Sequence, residues 1–153
     1  MVDVGSKAPE FELEGAGGKP LSLADYAGRK LVLYFYPKDD TSGCTKEAQD
    51  FTELAADFVA ADTIVLGVSR DSAASHAKFV DKYGLKVPLG SDPEGAVTEA
   101  YGVWVEKSMY GRKYMGIERA TFLIDRDGKV AETWRKVKVP GHAKAVLKAA
   151  QAL

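Results

Sequence analysis

Apolar and aromatic residues occupy every position from Leu31 to Tyr36, and Pro37 ends this run. A run without polar alternation predicts a central β-strand buried on both faces. After a polar turn, apolar side chains recur at the three- and four-residue spacing of a helix, at Phe51, Leu54, Ala55 and Phe58. This spacing predicts an amphipathic helix from near Cys44 to about Ala61. Cys44 is therefore expected where a strand, a loop and a helix meet.

A second strand and a second helix follow the first pair. The apolar run from Ile64 to Val68 predicts another buried strand. The next helix carries Ala77, Val80 and Tyr83 on its apolar side and is expected to end at Gly84. Strands that alternate with helices in this way imply parallel pairing in one sheet.

Shorter elements are predicted beyond this point. Pro93, directly behind Asp92, predicts the start of a short helix that runs through Ala100 and that Gly102 terminates. The next residues, Val103 to Val105, predict a short strand. The aromatic and basic stretch from Tyr110 to Met115 predicts an ordinary loop or strand edge and not a nucleic-acid face.

The last part of the chain predicts a hairpin and a closing helix. The segments Ala120 to Asp125 and Val130 to Trp134 flank Asp127-Gly128, which suits a type I′ turn. An alanine- and lysine-rich helix is expected over Ala143 to Leu153. Early parallel units, a later hairpin and a final helix predict an α/β, thioredoxin-like fold, with a central mixed β-sheet flanked by α-helices.

Composition limits the classes of function. The chain has 153 residues, of which 46% are hydrophobic, so residues 1–153 are expected to form a single domain with its own core. Lys and Arg total 21 against 22 Asp and Glu. This balance argues against binding to nucleic acid or to an anionic membrane. The first residues lack the basic and apolar regions of a signal peptide, so a cytoplasmic location is expected.

Cysteine and histidine usage narrows the chemistry further. Cys44 is the only cysteine, which excludes an internal disulfide and a multi-thiolate metal site. The two histidines, His76 and His142, are far apart in the sequence and are expected to be exposed helix residues. The sequence thus predicts no metal and no cofactor.

Cys44 has two interpretations from its position alone. In the first turn of a helix, the helix dipole and free backbone N–H groups favour a thiolate over a thiol, which makes a nucleophile. Alternatively, Cys44 is a small buried hydrophobic residue and residues 40–43 are only a capping loop.

Longer motifs surround Cys44 and extend through the chain. They are Tyr34 to Glu47 (YFYPKDDTSGCTKE), Ala8 to Phe11, Gly102 to Trp104, Glu106 to Ser108, and Arg119 to Asp125 with Gly128 beyond. With these motifs the chain resembles the peroxiredoxins, specifically the bacterioferritin comigratory protein or Q-type subfamily. The resemblance covers nearly the whole chain and implies the peroxiredoxin variant of the thioredoxin-like fold.

The resemblance also implies roles for the residues of the site. Cys44 corresponds to the peroxidatic nucleophile, Thr41 and Arg119 to residues that position and polarise the peroxide, and Glu47 to the residue that orients Arg119. The backbone of the turn from Ser42 through Gly43 to Cys44 would support the site. Hydrogen-bond donors are wanted there because negative charge builds on the departing peroxide oxygen.

Two positions depart from the pattern of this subfamily. Ser42 stands where the subfamily usually has proline, which restores an N–H group and loosens the loop. Gln49 stands where many members carry a resolving cysteine. A 1-Cys mechanism follows, in which an external thiol such as thioredoxin, glutaredoxin or glutathione must reduce the Cys44 sulfenic acid.

The resulting hypothesis is a thiol-dependent peroxidase that reduces hydrogen peroxide and small organic hydroperoxides. Two alternatives stay open at this point. One is a monothiol glutaredoxin-like thiol-disulfide transferase, and the other is a catalytically degenerate thioredoxin-like binding module. The expected state is a monomer, in which oxidation could link two copies through Cys44.

Overall fold

The computed structural model describes residues 2–15 and 17–153. Its strands, in chain order, are β1 (Glu12–Gly15), β2 (Pro20–Ser22), β3 (Lys30–Phe35), β4 (Thr63–Ser69), β5 (Leu89–Ser91), β6 (Trp104–Met109), β7 (Arg112–Ile117), β8 (Ala120–Ile124) and β9 (Val130–Trp134). Its α-helices are α1 (Ser42–Glu53), α2 (Ala55–Ala60), α3 (Ala73–Tyr83), α4 (Ala96–Ala100) and α5 (His142–Ala152). A single 3₁₀ turn, Leu23–Tyr26, precedes β3.

Seven of the strands form one mixed sheet, in the order β2-β1-β5-β4-β3-β8-β9. Strand β3 pairs in parallel with β4, and β4 with β5, whereas β8 runs antiparallel to β3 and to β9. The remaining two strands, β6 and β7, form a separate hairpin. The predicted α/β fold with a mixed sheet is confirmed, and so is the parallel pairing of the first two predicted strands.

Every residue of β3 is buried, because both faces of the sheet are covered. Leu31, Leu33 and Phe35 face one core, which α4 and the N-terminal segment close. Val32 and Tyr34 face the opposite core, which α1, α2, α3 and α5 cover and which includes Cys44. The predicted central strand therefore separates two cores, and the helix that carries Cys44 belongs to the second.

The predicted helix from Cys44 to Ala61 is in fact two helices. Helix α1 starts at Ser42, two residues before Cys44, and gives way to α2 at Leu54. At Leu54 the backbone ψ is 7°, which is outside the helical range and turns the chain between the two axes. The apolar side chains on either side, Phe51 and Phe58, still reach the same core, so the hydrophobic spacing carries no sign of this break.

Helix α4 begins three residues later than predicted. The chain turns at Gly95, whose φ is 82°, and the helix starts at Ala96 and not at Pro93. The Asp92 carboxylate still acts at this end, accepting hydrogen bonds from the N–H groups of Val97 at 3.3 Å and Thr98 at 2.8 Å. Asp92 thus stabilises the helix from outside, across a turn.

The turn of the β8–β9 hairpin is not of type I′. That type requires a positive φ at both central residues, and here Gly128 has a φ of 82° whereas Asp127 has no positive φ. The Gly128 N–H donates to the Asp125 carbonyl, and the Asp125 side chain accepts from the N–H groups of Asp127 and Lys129. The ladder shifts register between Leu123 and Ile124. The predicted hairpin is confirmed, but the predicted type of its turn was wrong.

Strand β6 is longer than the predicted Val103 to Val105. It continues to Met109 and pairs antiparallel with β7 around a turn at Tyr110, whose φ is 52°. The predicted loop or strand edge from Tyr110 to Met115 therefore forms most of a strand. Among the described helices, none has the length and apolar character needed to cross a lipid bilayer.

Candidate active site

The N-terminus of α1 holds Cys44 against the face of the sheet. Thr41 is the residue that caps this helix, so the N–H groups of Ser42, Gly43 and Cys44 have no acceptor within the helix and lie around the cysteine. Just upstream, Asp40 adopts a left-handed φ of 58° and is tied to α3 by Lys82 at 2.7 Å and by the Tyr83 hydroxyl. The loop before Cys44 is thereby fastened to a neighbouring helix.

Arg119 reaches Cys44 from 75 residues away in the sequence. It directly precedes β8, and the antiparallel pairing of Ala120 with Phe35 brings it next to the end of β3. Its Nη2 donates a hydrogen bond to Cys44 Sγ at 3.3 Å. Only 2% of the Cys44 surface is exposed, so this sulfur has a cation within contact distance and very little water. A hydrogen bond with a charged donor is stronger than one between neutral groups.

Glu47 binds the other side of the same guanidinium. It lies three residues after Cys44, so both side chains share one face of α1. Its Oε1 accepts from Arg119 Nη1 at 2.7 Å. Cys44 and Glu47 therefore hold Arg119 between them, each through a different nitrogen, as the resemblance implied.

The two partners of this ion pair respond to burial differently. Burial raises the pKa of Glu47 to about 7, although the charge and hydrogen bonds of Arg119 act in the opposite direction. Burial alone would lower the pKa of Arg119, but the charges of Glu47 and Cys44 and its hydrogen bonds to both raise it. The difference follows from depth, because the Glu47 side chain is 1% exposed and that of Arg119 is 16% exposed. Arg119 thus stays charged while Glu47 is partly protonated near neutral pH.

Gly43 allows the close approach of Arg119. A Cβ at this position would lie 3.2 Å from Arg119 Nη2. Ser42, the residue that replaces the usual proline, is exposed and makes no contact of this kind. A side chain at position 43 would therefore crowd Arg119, which explains the glycine there. The structure gives no explanation for Ser42.

Thr41 caps the helix that carries Cys44, and its hydroxyl points to the backbone of Lys38. Thr41 Oγ1 donates its only proton to the Lys38 carbonyl oxygen at 2.9 Å. The oxygen can therefore accept a hydrogen bond from a peroxide O–H but cannot donate one in this arrangement. A donor role for Thr41, which the resemblance implies, would require this hydroxyl to turn away from Lys38.

Three buried polar atoms on β3 and α1 have no hydrogen-bond partner among residues 2–15 and 17–153. They are Tyr34 Oη, Thr45 Oγ1 and Glu47 Oε2. Burial, together with the charges of Glu47 and Cys44, raises the pKa of Tyr34 well above its ordinary value, so its hydroxyl keeps its proton. Buried groups without partners are costly in a protein core. Of the three, Glu47 Oε2 belongs to the side chain that binds Arg119.

Both histidines are buried, so the prediction of exposed helix residues was wrong. His142 is 7% exposed, and its Nε2 lies 2.8 Å from Thr121 Oγ1. Burial and the charge of Arg119 lower the pKa of His142 to about 4, so this ring is neutral at pH 7. His142 makes no hydrogen bond to Cys44 and adds no positive charge to the site.

His76 belongs to a second buried cluster, at the end of β3 and the start of α3. Its Nδ1 lies 2.7 Å from Asp39 Oδ2, and its Nε2 lies 3.0 Å from the Gly90 carbonyl oxygen. Asp71 joins the cluster by accepting the Asp39 N–H at 2.8 Å. Ligand atoms of Asp39, Asp71 and His76 lie within 4.8 Å of one another, a grouping that the sequence spacing did not reveal. Each of these side chains already has protein partners.

The arrangement around Cys44 has the parts needed for nucleophilic attack on a peroxide. The sulfur of Cys44 is almost fully buried at a helix N-terminus, and the Arg119 guanidinium directs an N–H group toward it. The first N–H groups of α1 have no acceptor within the helix. An oxygen atom that gained negative charge beside this sulfur would meet donors already in place. Gln49, at the position of the resolving cysteine, is exposed on α1 and offers no thiol.

Relatives with known names cover almost the whole chain. Residues 4–133 match the AhpC/TSA family. The peroxiredoxin Bcp of Bacillus subtilis is 47% identical over 146 residues, which is 95% of this chain and 93% of that protein. The peroxiredoxin Bcp of Xanthomonas campestris is 50% identical over 143 residues, which is 94% of this chain and 89% of that protein.

Solved structures show the same similarity in three dimensions. A variant of peroxiredoxin Q from Xylella fastidiosa superposes with a TM-score of 0.94 at 42% identity, over 99% of this chain and 97% of that one. The bacterioferritin comigratory protein of Xanthomonas campestris gives a TM-score of 0.92 at 47% identity, over 98% of each chain. With this fold, and with Cys44 at its helix N-terminus, the chain belongs to the AhpC/TSA family and is related to the Bcp, or Q-type, peroxiredoxins.

Proposed function

We propose that this protein is a thiol-dependent peroxidase that reduces hydrogen peroxide and small organic hydroperoxides with Cys44 as the nucleophile. The observation that carries the proposal is the contact of Arg119 Nη2 with Cys44 Sγ at 3.3 Å while Nη1 binds Glu47 at 2.7 Å. The related protein from Xanthomonas campestris has been studied for alkyl peroxide reduction, which supports hydroperoxides as substrates.

The oxidation step transfers one oxygen atom. The Cys44 thiolate attacks one peroxide oxygen, a sulfur–oxygen bond forms, and the oxygen–oxygen bond breaks. The departing oxygen takes the electron pair of that bond and a proton, and it leaves as water or as an alcohol. Arg119 donates to the oxygen that gains charge, while Thr41 Oγ1 accepts from the peroxide O–H and orients it. Glu47 is a positioning residue, since it acts through Arg119.

The return step needs a thiol from another molecule. The chain has one cysteine, so the Cys44 sulfenic acid has no internal thiol with which to form a disulfide. Without a second cysteine in the sequence, we propose a 1-Cys cycle. The same lack of protection makes the sulfenic acid open to further oxidation by peroxide whenever the external thiol is slow to arrive.

The test is the second-order rate at which the reduced protein loses its thiol to one equivalent of hydrogen peroxide. Mass spectrometry of the product and the Cys44→Ser variant complete it. We expect a rate orders of magnitude above that of free cysteine, a product heavier by one oxygen, and reversal by added thiol. A rate near that of free cysteine would refute the proposal. Rapid exchange with mixed disulfides would then favour a glutaredoxin-like transferase, and its absence a binding module.

The proposed state in solution is a monomer. The contacts of Arg119 with Cys44 and Glu47 described above all form within one chain. Sedimentation of the reduced protein tests this proposal, and the same measurement after oxidation shows whether Cys44 links two copies.

A further inference from the structure

Arg119 lies on a short connection between the separate β6–β7 hairpin and the main sheet. Strand β7 ends at Ile117 and β8 begins at Ala120, so only Glu118 and Arg119 lie between them. Pairing with β3 fixes the chain from Ala120 onward. The position of Arg119 therefore depends also on how the connection is held on its other side.

Backbone hydrogen bonds hold this connection from two directions. The Glu118 N–H donates to the carbonyl oxygen of Val103, the residue just before β6, at 2.7 Å. The Val137 N–H, from the segment that follows β9, donates to the Arg119 carbonyl oxygen at 3.0 Å. Two distant segments therefore meet at the pair of residues that carries the active-site guanidinium.

Arg135 joins these two segments through its side chain. Its Nε donates to Glu118 Oε2 at 2.8 Å, and its Nη2 donates to the Gly102 carbonyl oxygen at 2.8 Å. Gly102 directly precedes Val103, which accepts the backbone N–H of Glu118. One guanidinium thus ties the Glu118 carboxylate to the segment that also binds the Glu118 backbone. A planar guanidinium can make both bonds because its N–H groups point in fixed and different directions.

The backbone turns sharply beside this contact. Lys136 has a left-handed φ of 48°, a conformation that costs energy in a residue other than glycine. Its N–H donates to the same Glu118 Oε2 at 3.3 Å. Three successive residues of this segment, 135–137, therefore each direct a donor at Glu118 or Arg119.

The ion pair of Arg135 with Glu118 is partly shielded from water. The Arg135 side chain is 28% exposed and that of Glu118 is 15% exposed, whereas the side chains of the pair formed by Arg29 and Asp62 are 44% and 47% exposed. Ion pairs at the exposed surface contribute little to stability, but partly buried pairs are screened less. Loss of Arg135 is therefore expected to release the backbone that Glu118 anchors.

We propose that Arg135 is a positioning residue that acts on the reaction through Glu118 and Arg119. The inference rests on the proposed peroxidase function. The Arg119 guanidinium binds Cys44 Sγ at 3.3 Å and Glu47 Oε1 at 2.7 Å at the same time. A catalytic arrangement of this kind tolerates displacements of only about 0.5 Å. When Arg135 no longer holds Glu118, the backbone of Arg119 gains freedom, and its donor moves away from the sulfur.

The test measures two properties of Arg135→Gln in the full chain. The first is the second-order rate of thiol loss with hydrogen peroxide. The second is the pKa of Glu47, followed by the carboxyl carbon resonance of protein with isotopically labelled glutamate and assigned with Glu47→Gln. Burial raises the pKa of Glu47 to about 7 although the charge and hydrogen bonds of Arg119 lower it, so a displaced Arg119 would raise it further. Looser packing elsewhere in the fold would not have this effect.

We expect Arg135→Gln to lower the peroxide rate about ten- to a hundredfold and to raise the pKa of Glu47. Both effects should vanish when Arg119→Ala is already present, because Arg135 then has no guanidinium left to position. Lys138→Gln is the matched control, since it removes an exposed cation from the same segment. It should leave the rate and the pKa of Glu47 as they are in the wild type.

The inference would be overturned by an unchanged rate and an unchanged pKa of Glu47 in Arg135→Gln, or by equal effects of this substitution with and without Arg119→Ala. If urea unfolding shows that Arg135→Gln does not fold, Glu118→Gln replaces it. That variant keeps the shape of the side chain and weakens its bonds to Arg135, so smaller changes in the same directions are expected, and no change would also overturn the inference. The titration of Glu47 needs no peroxide. A wild type that reacts no faster than free cysteine would refute the peroxidase, whereas the titration would still show whether Arg135 positions Arg119.

Discussion

Two buried ionic clusters lie on the same face of the sheet, and they differ in how well their polar atoms are satisfied. In one, Asp39 accepts from the Tyr36 and Ser75 hydroxyls as well as from His76, and both ring nitrogens of His76 have partners. In the other, Glu47 binds Arg119 through one oxygen, and its second oxygen has no partner in the described residues.

The pKa values of the two carboxylates record this difference. Burial would raise the pKa of Asp39, but its hydrogen bonds to His76, Tyr36 and Ser75, and the charge of His76, lower it below its ordinary value. Burial raises the pKa of Glu47 to about 7 in spite of Arg119. Burial penalises both groups, so the number of donors decides the sign of the shift.

The comparison separates a structural cluster from a reactive one. A closed network has no capacity left for a ligand and serves to fix the loop that begins at Asp39. The cluster around Cys44 retains unused donors and acceptors, which a peroxide can occupy. Disrupting the first cluster should therefore affect stability, whereas disrupting the second should affect the reaction rate and, through Glu47, the pH dependence of stability.

The largest effect is expected from His76→Leu. The substitution leaves the Asp39 carboxylate buried with fewer donors, and breaking a buried ion pair in this way costs about 3–5 kcal/mol. We expect the free energy of unfolding in urea to fall by that amount. The rate of the folded protein with peroxide should change by less than about tenfold, which corresponds to ~1.4 kcal/mol, because His76 touches neither Cys44 nor Arg119.

The control for His76→Leu is the double variant that also carries Asp39→Asn. It removes the carboxylate that His76 balances, so it should recover part of the lost stability, and the two changes should not be additive. Additive losses would show that the two residues stabilise the fold independently and that the ion pair has been overvalued.

Arg119→Ala should lower the reaction rate strongly and the stability less. It removes the donor to Cys44 Sγ and the donor to the departing oxygen, and loss of one such donor costs about 2.7–4 kcal/mol in the barrier, or roughly a hundred- to a thousandfold in rate. Stability should fall less than in His76→Leu, because Glu47 can take up a proton when its partner is removed. Stopped-flow oxidation by hydrogen peroxide measures the rate.

Arg119→Lys is the matched variant. Lysine keeps the charge but lacks the planar fork that serves Cys44 and Glu47 through separate nitrogens, so an intermediate rate is expected. A rate equal to that of the wild type would show that charge alone is sufficient and that the fork geometry has no role.

The sequence predicts the fold well where hydrophobic spacing is strong. Strands β3 and β4 and helix α5 lie within one residue of their predicted bounds, and α3 ends just before the predicted Gly84, because burial imposes a regular spacing on their side chains. The hairpin of β6 and β7 was missed over most of its length, since its residues are largely exposed on both faces and carry little apolar alternation. The break at Leu54 depends on one backbone angle, which spacing does not record.

The residues of the site also differ in how far the sequence alone predicts them. Cys44 is marked by its position between strand and helix, whereas Arg119 and Glu47 were identified through the family resemblance, because 75 residues separate Arg119 from the cysteine. Burial of His76 depends on acceptors from two other segments, Asp39 and Gly90, and no local pattern shows it.

Glu47→Gln should remove a pH dependence of stability that Glu47 imposes. The pKa of Glu47 is about 7 in the folded protein and 4.5 as the ordinary value, so between these values the folded state binds the proton more tightly than the unfolded state. Stability from this group is complete below pH 4.5, falls as the pH rises, and reaches its lowest contribution above pH 7. The total change is roughly 3 kcal/mol.

The measurement is urea unfolding of the wild type and Glu47→Gln across this pH range. The difference between the two proteins isolates Glu47, because all other groups titrate in both. We expect Glu47→Gln to gain stability relative to the wild type as the pH rises from below 4.5 to above 7. Asp39→Asn provides the contrast, since its lowered pKa means that the wild-type carboxylate loses stability as the pH falls. A pH-independent difference for Glu47→Gln would contradict the assigned burial cost.

The smallest effect is expected from Thr41→Val, which removes a hydroxyl and keeps the shape of the side chain. Because Thr41 Oγ1 donates to Lys38 and offers the peroxide only an acceptor, its loss should cost about 0.5–1.5 kcal/mol in the barrier, the value of a neutral hydrogen bond. Thr41→Ser is the control and should retain most of the rate. A loss as large as that of Arg119→Ala would mean that the hydroxyl rotates and donates to the reacting oxygen after all.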